Sequence, residues 1–147
     1  MLFRSEAIHE AEAAFRGDRP DEATAWALVT SAIARRPFLA GDTTPWCDRP
    51  REHLRHVRVR ALEVRGNAGL ARGDHVGAAT DAEAVLELDP YRESAHALLM
   101  KAHVAEGNPA NALAAYERLR VKLAEDLGTS PSPETEAVFL DVLAMRG

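Results

Sequence analysis

Between positions 49 and 72 seven arginines face two glutamates, a local charge of +5 in a chain whose net charge is −5, so the remainder carries −10. At helical spacing Arg51, Arg55, Arg58 and Arg65 form one stripe beside an apolar face. Such a stripe suits phosphate groups or an acidic protein patch. It also suits a solvated face paired with acidic neighbours, the commoner use of such charge. Phosphate binding through several arginines carries a steep salt dependence, which separates the two readings. His53 and His56 lie three apart, near Asp48, Glu52 and Cys47. Zinc needs three or four ligands in suitable geometry, and no second cluster completes the set. His96 and His103 are seven apart and share a helical face, which fits partly buried or surface histidines. Cys47 has only His53 and His56 as candidate bases, and nucleophilic catalysis needs an oriented base, so an idle thiol is expected. The pairs Asp21/Glu22 and Glu125/Asp126 are adjacent, point apart on a helix, and suit capping and solubility. The chain has no Walker loop, GxGxxG or HExxH. These residues imply no catalysis, no cofactor and no metal.

The remaining chain must therefore explain itself as architecture. Its 147 residues make one compact unit or a short helical array. The net negative charge argues against a nucleic-acid binder over the whole unit. A single cysteine excludes a disulfide framework and fits a reducing compartment. No apolar run approaches the roughly 18 residues that span a membrane. Met1-Leu2-Phe3-Arg4 opens an amphipathic pattern without a signal peptide, so a cytoplasmic location is expected.

Gly73 and Gly107 stand 34 residues apart, and at that offset Ala78 meets Ala112, Val85 meets Leu119, Ala61 meets Ala95 and Ala68 meets Ala102. A 34-residue period with Gly between two helices and Ala five residues later is the tetratricopeptide (TPR) signature. Glycine accepts the positive φ that ends the first helix of each pair. Alanine lets the two helices approach closely. Pro90 ends the first repeat where a helix cannot continue. The repeats run about 59–92 and 93–126. Gly66 holds the small position of the first, and Met100 stands there in the second.

The spacing predicts an all-α, TPR-like right-handed array of about seven helices. Repeat-like pairs cover about 4–36, 50–90 and 91–127, with a capping helix at about 132–146. The third helix should bury Leu54, Val57, Ala61, Val64 and Ala68 as a narrow stripe. The fourth should turn Ala78, Ala82, Val85 and Leu86 inward, and the fifth Ala95, Leu98, Leu99 and Ala102. The sixth starts with Asn108 as cap and Pro109 in first position, buries Ala112, Tyr116, Leu119, Leu123 and Leu127, and stops at Gly128. The last starts at Ser132 and presents Val138, Phe139, Val142 and Leu143. Trp46 and Tyr116 read as structural anchors rather than ligand contacts. The stacked first helices of each pair should line a concave groove that holds a partner segment.

The run Ala112-Leu113 through Tyr116, Leu119-Arg120, Leu123, Glu125, Leu127-Gly128, Pro131 and Pro133-Glu134 resembles the bacterial transcriptional activator domain. That domain follows a winged-helix DNA-binding domain in the Streptomyces antibiotic regulatory protein (SARP) family and related actinobacterial regulators. Leu88-Asp89-Pro90-Tyr91-Arg92-Glu93 is similar to the family's entry into the next helix. Phe38-Leu39-Ala40-Gly41 with Trp46, and Leu54 with Arg58 to Glu63, resemble its loop and the helix after it. Arg35-Arg36-Pro37 departs from the family's usual Trp-Arg-Gly. No residues match the winged-helix portion, so no DNA-contacting residue carries over, and a stand-alone domain or a fragment is expected.

The resemblance implies a regulatory domain working through protein contacts. These are self-association as a homo-oligomer, docking to a winged-helix domain, or engagement of RNA polymerase, without sequence-specific DNA binding by this chain alone and without a membrane. The residue pattern by itself also admits a TPR adaptor with a peptide partner unrelated to transcription.

Overall fold

The computed structural model describes residues 9–10, 12–13 and 48–146, the side chains of 48–51 and 146 excepted. Five helices lie in this part: α1 Asp48–Ala71, α2 His75–Leu88, α3 Glu93–Ala105, α4 Pro109–Leu127 and α5 Pro133–Arg146. They correspond to the third to seventh helices of the sequence pattern. His9, Glu10, Glu12 and Ala13 are helical as well, inside the expected first helix. The expected second helix, Trp46, Cys47 and the irregular segment around them lie outside the described residues.

The two hairpins α1–α2 and α3–α4 repeat one turn atom for atom. Gly73 and Gly107 sit at φ +89° and +78°. Gly73 N–H donates to Leu70 O and Asp74 N–H to Gly69 O; 34 residues on, Gly107 N–H donates to Val104 O and Asn108 N–H to His103 O. The cap repeats too. The Asp74 carboxylate accepts from Gly77 N–H at 2.9 Å, and the Asn108 side chain from Asn111 N–H at 3.3 Å. A short polar side chain here satisfies an amide that the first helical turn leaves open. Gly128, at φ +65°, ends α4.

Burial follows the repeat. Ala78, Ala82, Ala112 and Ala115 are fully buried around Leu98, Leu99 and Met100. Small residues at these crossings allow the backbones to close up. Gly66 extends this on α1: a Cβ there would stand 2.7 Å from Leu98 Cδ2 and 3.3 Å from Asp81 Cβ. Tyr116 lies in the same core, its ring stacked on Phe139 of α5 at 3.9 Å between centroids and 10° between planes. A second cluster joins Val59 and Leu62 of α1 to Val85 and Ala95.

The helix α3 packs against each of the other four. This explains why single-face readings of the pattern fall short. On α3, His96 and Met100 are buried beside the four expected residues. On α1, Val59 and Leu62 widen the narrow stripe, because this helix meets both α2 and α3. Two residues expected inward lie outside. Leu127 is 53% exposed, because α4 has 19 residues against 13 in α3 and its last turns overhang by about 9 Å. Leu143 is 40% exposed. It stands about 100° around the helix from buried Val142, whose face is completed by Thr135, Val138 and Phe139. Leu86 of α2 is half-buried.

One clamp seats α5. Ser132 N–H donates to Glu93 Oε2 at 2.7 Å, and Ser132 Oγ meets Thr135 Oγ1 at 3.1 Å. Burial disfavours the Glu93 carboxylate, yet the hydrogen bonds from Ser132 and Thr135 outweigh it and hold its pKa below the ordinary value.

Candidate protein-interaction surface

The arginine stripe of α1 is divided by its neighbours. Arg65 lies against α2, where its guanidinium donates through Nε and Nη2 to both oxygens of Asp81. Its pKa rises because of this hydrogen bonding, against the cost of burial. Arg58 is half-buried, with its Nε enclosed and, among the described residues, lacking a hydrogen-bond partner. Arg55 is exposed, with His53 and His56 beside it. The side chain of Arg51 lies outside the described residues. Arg60, which is not on the stripe, forks onto Glu12 at 2.7 to 3.0 Å. Part of the local positive charge is thus committed within the fold. Among the described residues no group of three or more His, Cys, Asp or Glu is placed to hold a metal ion.

The first helices of the pairs, α1 and α3, meet across a polar knot. Glu63 accepts from Arg92 Nη2 at 2.8 Å and from Ser94 Oγ, while Asn67 Nδ2 donates to Glu63 O at 2.8 Å. Glu63 thereby ties the start of α3 to α1.

The second helices differ. Three depressions run from α2 to the end of α4. One of about 420 Å³ lies along Val76, Ala79, Thr80, Glu83, Ala84 and Glu87 of α2, with Leu99, His103 and Glu106 opposite. The next, about 250 Å³, shares Glu83 and Glu87 with it and reaches Arg118 and Lys122 of α4. The third shares Arg118 and Lys122 and continues past Ala114 and Val121 to Asp126. Val76 and Val121 are open to solvent within this band. Arg118 bridges it to Glu83 at 3.4 Å, and Tyr91 OH donates to Asp126 Oδ2 at 3.1 Å, with Lys122 Nζ 5.2 Å above the Tyr91 ring. The repeat pattern points to a groove on the first helices of the pairs; this band lies on the second helices instead.

Beneath the band lies His96, only 5% exposed. Its Nε2 is 3.1 Å from Pro90 O, which only accepts, so Nε2 carries the proton. Nδ1 is buried and has no hydrogen-bond partner among the described residues. Burial lowers the His96 pKa below 6.5, and the Pro90 bond offsets this only in part. The unfolded chain therefore binds this proton more readily than the folded one. The stability owed to neutral His96 is complete above pH 6.5 and declines as pH falls below it. The thermal midpoint should drop between pH 7.5 and about 5.5, and His96→Gln should flatten that drop. Equal pH slopes for the two proteins would rule the effect out.

The family model described as bacterial transcriptional activator domain matches residues 2–143. The regulatory protein AfsR of Streptomyces griseus is 38% identical over 96 residues, which are 65% of this chain and 10% of that protein. The transcriptional regulatory protein EmbR of Mycobacterium tuberculosis is 32% identical over 89 residues, 60% of this chain and 23% of that protein. The chain thus spans a small part of these relatives. Among solved structures, the TPR2B domain in the "TPR2B-domain:pHsp70-complex of yeast Sti1" superposes with a TM-score of 0.70 at 19% identity, covering 99% of this chain and 100% of that one. At that identity the likeness concerns the fold, and the fold is TPR-like.

Proposed function

The chain belongs to the bacterial transcriptional activator domain family, whose relatives here are transcription regulators, and from that premise we propose that it is the protein-binding module of a SARP-type regulator. Its contacts are with RNA polymerase, with a winged-helix DNA-binding domain or with a second copy, and its work is docking rather than catalysis. The observation that carries this reading is the family match over residues 2–143. The fold supports it: a stacked helical array offers long faces to a partner, and the yeast domain of the same fold is described in a complex with pHsp70. No described helix is long and apolar enough to cross a membrane, and the reading places the protein in the cytoplasm with the transcription machinery.

The test is direct binding by biolayer interferometry, with purified RNA polymerase holoenzyme, a winged-helix domain and the chain itself as partners. At least one Kd below about 10 μM is expected. Failure of all three at about 100 μM sinks the proposal. The same protein should leave duplex DNA unshifted in a gel at physiological salt. A sub-micromolar, sequence-dependent shift would contradict that.

A further inference from the structure

We infer that the band across α2 and α4 is the docking face, and that its occupant is a basic amphipathic helix. This rests on the reading of the chain as a protein-binding module and names its surface. Three observations on the band select the occupant.

The first is shape. The stretch from Val76 to Glu87 runs along α2 for about 16 Å, three helical turns. Val76 opens a line that Thr80, Glu83 and Glu87 continue at helical spacing, Ala79 and Ala84 flank it on either side, and Ala114 and Val121, two turns apart, extend the apolar surface onto α4. Grooves that take polyproline segments are lined by aromatic rings, and extended peptides add to a strand edge. Among the described residues the lining holds no tryptophan or phenylalanine, the Tyr91 ring at its α4 end is already engaged by Asp126 and Lys122, and no strand is present. A helix laid along the groove remains.

The second is charge. Glu83, Glu87, Glu106, Glu117, Glu125 and Asp126 stand against only Arg118 and Lys122, so the lining carries −4. Glu83 is met by Arg118, Glu117 by Arg120 and Asp126 by Lys122. Glu87 and Glu125 have no ion-pair partner among the described residues, and both are exposed. A basic partner finds two open carboxylates, one on each wall.

The third is exposure. Val76 is 69% exposed and Val121 36%, and each belongs to a depression rather than to an isolated surface position. Covering them removes apolar surface from water at both ends of the band. Where α1 meets α3, by contrast, the Glu63 carboxylate is already taken by Arg92 and Ser94.

The probe is a fluorescein-labelled Leu/Lys peptide of about 14 residues, patterned as an amphipathic helix. Its controls are a scrambled peptide of equal composition and a Leu/Glu counterpart. At about 150 mM salt the patterned peptide should saturate the 147-residue chain and bind at least about tenfold tighter than the scramble. Glu83→Lys/Glu87→Lys should weaken it about tenfold or more and admit the Leu/Glu peptide. Val121→Asp should weaken it too, and Arg55→Glu should not. All substituted side chains are exposed, and circular dichroism checks the fold, with Glu87→Gln replacing any variant that loses it. Absent saturation, equal binding of the scramble, or indifference to charge reversal overturns the inference. Partner association measured on the same charge-reversed protein separates the two levels. If RNA polymerase, winged-helix or self-association survives reversal intact, the groove is wrong and the module reading stands. If wild type shows no association with any of the three, the module reading itself falls and takes the groove with it.

Discussion

Tyr116→Ala should lower the unfolding free energy by about 3–5 kcal/mol, the range for truncating a buried aromatic. Tyr116 is 8% exposed and forms part of the core that also holds Leu98, Leu99 and Val142. Its ring covers Phe139, so the substitution opens a cavity and strips α5 of its stacking partner at once. The loss should be read from urea unfolding, and amide exchange should show α5 loosening before α3. Tyr116→Phe should cost less than about 1 kcal/mol, because the stacked ring is kept. An unchanged urea midpoint for the alanine variant would remove Tyr116 from its role as the wedge between hairpin and cap.

The second large effect concerns Asp81. This carboxylate is 6% exposed and bound at both oxygens by Arg65, joining α2 to α1 beside the close contact at Gly66. Asp81→Ala leaves a partly buried guanidinium without its counter-charge. Losing one member of a buried pair costs about 3–5 kcal/mol, and the 23% exposure of the Arg65 side chain brings the expectation to about 2–3 kcal/mol. The double variant Arg65→Met/Asp81→Leu should recover most of that, since two apolar side chains of similar bulk remove the pair without stranding a charge. A double-mutant cycle decides the matter. If Asp81→Ala is neutral, the pair is a surface ornament. If the double variant is as unstable as the single one, shape rather than charge is what Asp81 supplies.

These two residues mark the limits of what the sequence makes legible. Tyr116 could be placed because the 34-residue period sets both its helix and its inward face. The period works because the turn glycines, cap residues and crossing alanines are local requirements, each met within a few residues of chain. Asp81 could not be placed. An aspartate on a helix reads as solvated, and its partner lies 16 residues back on another helix, where no spacing rule reaches. The same gap divides the arginine stripe: a helical wheel gives the angle of Arg65 but not the helix it points at. His96 and Met100 were missed because a one-faced pattern describes a helix with one neighbour, whereas α3 has four. The band on α2 and α4 is a property of the space between helices, and its residues carry no mark of it when read singly.

The pairing of neighbours also sets how the array is assembled. Each helix of the described part packs on the next in the chain or on the one after it. Short loops are inexpensive to close, and chains with such local contacts fold on microsecond to millisecond scales. The helix that packs on all four others, α3, is the natural place for growth to begin, with α1–α2 on one side and α4–α5 condensing on the other. Kinetically the molecule is then a short zipper that closes from its middle, and Tyr116 and Asp81 lie on opposite arms of it.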